Sequence, residues 1–215
     1  ERNMSLEREE RTVRLAEKLA REGDLSDGEL LELIRDRNEA SARCLRRLAG
    51  EARDRVYGKK IYIRGLIEFT NYCRNNCFYC GIRRGNEKAV RYRLKEEEIL
   101  ECCREGFELG FCTFVLQGGE DPWYNDERLE HLVRAIRREF PDCAITLSVG
   151  ERSRESYERL FAAGADRYLL RHETAVKSHY EMLHPAEMSF DHRMQCLRDL
   201  KDIGYQTGCG MMVQS

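Results

Sequence analysis

"IYIRGLIEFTNYCRNNCFYC", residues Ile61 to Cys80, joins an apolar run to three cysteines, Cys73, Cys77 and Cys80, in the spacing C-x-x-x-C-x-x-C. The run reads as a β-strand over 61–69, apolar enough to be covered on both faces, and the cysteines fall on the loop directly after it. Further apolar runs recur at 112–117, 144–149, 167–171 and 205–213, and helical patterns lie between them near 95–109, 126–139, 153–163 and 190–203. Strand and helix alternating about every 30 residues imply a parallel α/β sheet, either a barrel or a doubly wound sheet. Functional side chains then belong at the C-terminal ends of the strands, where the cysteines stand.

Residues 4–57 carry Leu, Ala, Glu and Arg at helical spacing, broken once at "EGDLSDGE", where Ser26 and Glu29 form a capping-box pattern. Two helices are expected there, the second burying Leu30, Leu31, Leu33 and Ile34. The division expected is a helical extension over 1–57 and an α/β domain over 58–215. A (β/α)8 barrel usually needs about 250 residues. The chain is therefore expected to stop after about five βα units.

Lys and Arg total 37 against 39 Asp and Glu, a formal charge of −2, so no global field draws the 215-residue chain to nucleic acid or to an anionic membrane. No apolar run reaches the roughly 18 residues of a membrane span, and a charged N-terminal stretch does not read as a signal peptide. A soluble, cytoplasmic protein is expected, and its ten cysteines are expected to be thiols or metal ligands.

A tetrahedral zinc site wants four protein ligands, commonly as two separated pairs, and no fourth ligand is evident near the triplet. Three thiolates suit a [4Fe-4S] cluster instead, holding three irons and leaving the fourth open for another ligand. An incidental triplet, or a zinc or iron-sulfur carrier without catalysis, is the plainer alternative. The second strand ends in "LQGGED", where Gly118 and Gly119 permit close backbone approach to a ligand and Glu120 offers a carboxylate to an ammonium group. "TLSVGE" brings Thr146, Ser148 and Glu151, and "YLLRHET" brings Arg171, His172 and Glu173 to the next two strand ends. Such groups are costly there unless paired or bound, and an Arg171–Glu173 ion pair is the bland reading. Arg193 stands near a helix start, and His172, His179, His184 and His192 show no metal-binding spacing.

The triplet, with aromatic Tyr79 just before its third cysteine, resembles the signature of radical S-adenosylmethionine (SAM) enzymes. "YCRNNCFYCGIRRGN", "RYRL", "VLQGGEDPWY", "TLSVGER" and "GADRYLLRHETA" further resemble the HydE-type maturases of [FeFe]-hydrogenase, over most of residues 60–213. The resemblance implies a (β/α)8 TIM-barrel fold and two cofactors, a [4Fe-4S] cluster on Cys73, Cys77 and Cys80 and SAM on its open iron. It further implies that Gln117, Gly118, Gly119 and Glu120 line the methionine end of SAM, with Tyr79 and Ser148 nearby. Glu173 would then take the ribose hydroxyls and Arg193 the carboxylate, while Thr146, Arg171 and Met212 face the substrate. The implied partners are a small-molecule or organometallic substrate, a flavodoxin- or ferredoxin-like electron donor and other hydrogenase maturases. A biotin synthase-like or methylornithine synthase-like enzyme is the alternative within the superfamily, and Cys143 and Cys209 would serve the former only if they joined a second cluster.

Overall fold

The computed structural model describes residues 2–213, and by backbone contacts the chain forms two compact units, Glu1–Tyr62 and Ile63–Ser215. The first unit holds three helices, α1 (Arg2–Glu22), α2 (Asp27–Arg35) and α3 (Glu39–Tyr57), where two were expected. The additional break is made by Asn38, whose side chain accepts from the Ser41 N–H at 3.0 Å while the Ser41 hydroxyl accepts from the Asn38 N–H at 3.0 Å. Ser26 and Glu29 cap α2 in the same reciprocal manner, as expected. Leu15, Ala16, Leu25 and Leu33 are the buried core of this unit. The expectation that α2 buries four residues fails, because Leu30, Leu31 and Ile34 are 42%, 60% and 65% exposed. A nine-residue helix meets its neighbours along one narrow edge, which Leu33 alone occupies.

The second unit runs β1 (Gly65–Thr70), α4 (Glu96–Glu108), β2 (Thr113–Gly118), α5 (Asp126–Glu139), β3 (Ala144–Ser148), α6 (Arg154–Ala163), β4 (Arg167–Leu169), α7 (Lys177–Leu183), α8 (Phe190–Ile203) and β5 (Gln206–Gly208). All neighbours pair in parallel in the order β1-β2-β3-β4-β5. A doubly wound sheet reverses direction at a switch point, whereas strictly sequential order is that of a TIM-type barrel. The fold is accordingly α/β of the TIM-barrel kind.

Alternation along the strands separates core from site. Phe69, Leu116 and Leu147 are fully buried and pack with Ile99, Leu129, Leu132 and Ile136 from the helices. The opposite face carries Glu68, Gln117 and Ser148, set in one row by the register Glu68↔Gln117 and Gln117↔Ser148. β1 starts at Gly65 and not at Ile61, since pairing with β2 begins at Gly65↔Phe114 and Ile61, Tyr62 and Ile63 are exposed. Among the helices, α5, α6 and α8 are capped by Asn125, Ser153 and Ser189. Lys95 offers α4 no acceptor, and the Glu98 carboxylate takes the Lys95 N–H at 2.6 Å instead. No helix among the described residues is long and apolar enough to cross a membrane.

Candidate functional site at the strand C-terminal ends

The loop after β1 is held to the end of β2 by paired charges and backbone. The Thr70 hydroxyl donates to Asp121 Oδ2 at 2.7 Å, and Arg93 clamps the same carboxylate with Nε and Nη2 at 2.6 and 2.9 Å. Four residues into the loop, the Arg74 N–H donates to the Glu120 carbonyl at 2.9 Å and its side chain meets Glu120 Oε2 at 3.1 Å. Arg91 closes the loop from the other side, donating to the carbonyls of Asn71, Ile82, Arg83 and Asn86. Its guanidinium thus ties both ends of the cysteine segment to one point. A Cβ added to Gly119 would strike the Tyr72 carbonyl oxygen and lie 2.7 Å from Cys73 Cβ, so the "GG" of β2 is what lets the two backbones touch.

Together these contacts shape a cavity of about 520 Å³. Cys73, Cys77, Tyr79, Cys80, Gln117, Gly118, Gly119, Glu120, Ser148, Arg171, Glu173 and Arg193 all line it. Thr146 and Met212 do not; Thr146 is buried on β3 with its hydroxyl unpartnered, and Met212 lies past β5, where its N–H donates to the Glu173 carbonyl at 2.9 Å. The three cavity cysteines are free and half-buried. Burial pushes the Cys77 thiol up to about 11 and raises that of Cys73.

The charges behind the cavity form a group the sequence pattern only half disclosed. Arg193 Nε lies 2.6 Å from Glu151 Oε1, and its Nη2 lies 3.9 Å from Glu120 Oε1. Burial works against the Arg193 charge, but Glu151 and Glu120 outweigh it and hold the guanidinium protonated. Burial, helped by the neighbouring Glu120 carboxylate, raises the Glu151 carboxyl above its ordinary value despite the opposing pull of Arg193 and His192. The Arg193 Nε and Glu151 Oε1 atoms are buried without an aligned hydrogen bond despite their approach. The sequence marks Glu151 as a strand-end carboxylate in "TLSVGE" but does not disclose its pairing with Arg193. Gly150 takes φ +80°, and Glu120 packs against it where any side chain would stand. The bland alternative, an Arg171–Glu173 ion pair, does not form among the described residues. Arg171 instead offers its carbonyl to Arg193 Nη1 at 3.2 Å.

Glu173 is the single residue other than glycine among the described residues with a positive φ, +64°. It is 7% exposed and is fixed by backbone bonds to the segment just after β5, its N–H donating to the Gly210 carbonyl at 3.0 Å. A buried acid held in the left-handed region at a cavity wall marks a functional constraint.

The donor set fits the cofactors implied by the signature. Among the described residues no three His, Cys, Asp or Glu side chains converge on one metal ion. Cys73, Cys77 and Cys80 line the one cavity, and soft thiolate donors are the ligands of iron-sulfur clusters. Near Gly119 the side chains Arg74, Arg193, Glu120 and Glu151 contribute two positive and two negative charges, 2 − 2 = 0. A zwitterionic amino-acid group adds one of each.

Residues 67–214 match the Radical SAM superfamily. The chain is 48% identical over 182 residues to the [FeFe] hydrogenase maturase subunit HydE of Thermotoga maritima, a match covering 84% of this chain and 50% of that protein. Among solved structures, methylornithine synthase (PylB) superposes with a TM-score of 0.82 at 30% identity, over 92% of this chain and 58% of that one. The FeFe-hydrogenase maturase HydG from Carboxydothermus hydrogenoformans gives 0.83 at 25% identity, over 98% and 50%. The chain spans about half the length of the curated relatives it matches. With its signature cysteines at the end of β1 of a parallel barrel-type sheet, the chain belongs to the Radical SAM superfamily, whose enzymes use a [4Fe-4S] cluster and S-adenosylmethionine.

Proposed function

We propose that the protein is a cytoplasmic radical SAM enzyme of [FeFe]-hydrogenase maturation, acting on an iron-containing, cysteine-bearing precursor of the hydrogenase cofactor. The observation that carries the cofactor chemistry is the cavity, in which Cys73, Cys77 and Cys80 face Gly118, Gly119, Glu120, Glu173 and Arg193. The choice of pathway is supported by 48% identity to the HydE maturase, against 30% to methylornithine synthase.

In this reading Cys73, Cys77 and Cys80 would hold the [4Fe-4S] cluster, which when bound would supply the electron for reductive cleavage of SAM. The Gly118 and Gly119 backbone and Glu120 receive the methionine ammonium group, and Arg193 receives the carboxylate. Glu173 accepts from the ribose hydroxyls. Tyr79, Gln117 and Ser148 complete the cofactor wall, while Arg171 is assigned to the substrate side of the cavity and Thr146 and Met212, which do not line it, are left out of the assignment. The reducing electron comes from a flavodoxin- or ferredoxin-like donor, and the product passes to other hydrogenase maturases.

Product analysis tests this assignment. The full-length protein, loaded with cluster anaerobically and given SAM, dithionite and the iron-bearing precursor, is expected to release 5′-deoxyadenosine faster than with SAM alone. Stimulation by methylornithine precursors and not by the iron compound would reassign it to the methylornithine synthase-like class.

A further inference from the structure

His184 is 3% exposed and touches Tyr79, a residue of the cavity wall. Its Nδ1 lies 2.9 Å from the Tyr180 carbonyl oxygen, which can only accept, so Nδ1 carries the ring proton. Burial lowers the pKa of His184 and keeps the imidazole neutral. Nε2 therefore presents a lone pair, and at 3.1 Å from Nε2 the Tyr79 hydroxyl is the donor. The His184 ring is itself fixed by stacking on Tyr180, with centroids 3.8 Å apart and planes 20° apart.

Neighbouring contacts come from the same segment. The Phe78 N–H donates to the Leu183 carbonyl at 3.0 Å, and Met188 Sδ lies 3.6 Å from Cys77 Sγ. Residues 77, 78 and 79 of the cysteine loop are thus gripped by the end of α7 and the chain that follows it. Tyr79 is 43% exposed at the cavity, where an unrestrained ring would sample several rotamers.

We propose that His184 is a positioning residue: as a neutral acceptor it locks the Tyr79 ring in the cavity wall before SAM arrives, so that binding does not pay for ordering that ring. The inference rests on the proposed reading, in which the cavity receives SAM at the cluster. It assigns a role to a histidine that touches neither cluster ligand nor cofactor in that scheme.

Two measurements on the full-length protein decide it. Long-range proton–nitrogen NMR of the histidine rings is expected to show His184 neutral with its proton on Nδ1; a proton on Nε2, or a charged ring at neutral pH, overturns the proposal. In cluster-loaded protein, SAM affinity read from the paramagnetic resonance signal is expected to weaken about tenfold in His184→Phe, the loss of one useful hydrogen bond. His184→Gln can still accept from Tyr79 and is expected to stay within about twofold of the wild type. In a Tyr79→Phe background, His184→Phe is expected to add nothing, because the shared contact is already gone. Additive losses, or a His184→Phe protein that binds SAM like the wild type, overturn the proposal alone. A wild-type protein whose cluster ignores SAM overturns the functional reading and the proposal with it.

Discussion

Arg193 and Glu151 form an ion pair inside the molecule, Nε to Oε1 2.6 Å, with only 9% and 12% of their side chains exposed. Removing one partner of such a pair leaves a buried charge uncompensated, a loss of about 3 kcal/mol. Glu151→Gln is expected to lower the unfolding free energy by about that amount, measured by urea denaturation. A change below about 0.5 kcal/mol would mean that Glu120, at 3.9 Å, suffices for Arg193.

Glu173 separates stability from binding. Its φ of +64° costs an ordinary residue about 1 kcal/mol relative to glycine. Glu173→Gly is expected to leave the fold as stable as the wild type or more so, while SAM affinity drops at least tenfold because the carboxylate is gone. Unchanged affinity in calorimetric titration would remove Glu173 from the cofactor site.

The contact between Gly119 and the cysteine loop predicts the opposite pattern. In Gly119→Ala the new Cβ meets backbone at Tyr72 and the Cβ of Cys73, neither of which can swing aside like a flexible side-chain tip. The variant is expected to lose about 2 kcal/mol of stability and to retain less than half of the wild-type iron after anaerobic reconstitution, read by iron and sulfide assay. Wild-type iron content would show that the loop moves freely.

Asp121 makes acid stability informative. Burial raises its carboxyl, but the hydrogen bonds from Arg93, Thr70 and the Trp123 N–H outweigh it, so the folded pKa lies below the ordinary 3.8. An acid depressed in the folded state stabilises fully above its unfolded value, and the contribution disappears as pH falls through the folded value. Asp121→Asn is therefore expected to be about 2–3 kcal/mol less stable at pH 7, with the gap to the wild type narrowing below about pH 4. A gap that stays constant down to pH 3 in urea titrations would contradict the depressed pKa.

The sheet was legible because short apolar runs such as "CTFVLQ" recur between helical patterns at the spacing of βα units. Strand ends were less legible: Ile61 to Ile63 are as apolar as β1 itself, yet pairing begins only at Gly65, a property of the partner strand and not of the run. The seven-residue α7 was missed, being too short for periodicity to show. At the site, signature residues were readable from type and spacing, and twelve of them line one cavity. Arg91 was not, and Glu151 and His184 were visible only as residue types near the site, because what each does depends on a partner distant in sequence: the Asn71 and Ile82 carbonyls, Arg193 and Tyr79. Long-range pairing leaves no local pattern to read.

The central claim is that Cys73, Cys77 and Cys80 leave one iron open for SAM. Its most direct test is anaerobic electron paramagnetic resonance of the reconstituted, dithionite-reduced full-length protein, recorded with and without SAM. A [4Fe-4S] signal whose g-values shift when SAM is added, and which Cys80→Ser abolishes, is the predicted result. No cluster, or one indifferent to SAM, would contradict the account and return the three cysteines to a carrier or zinc role.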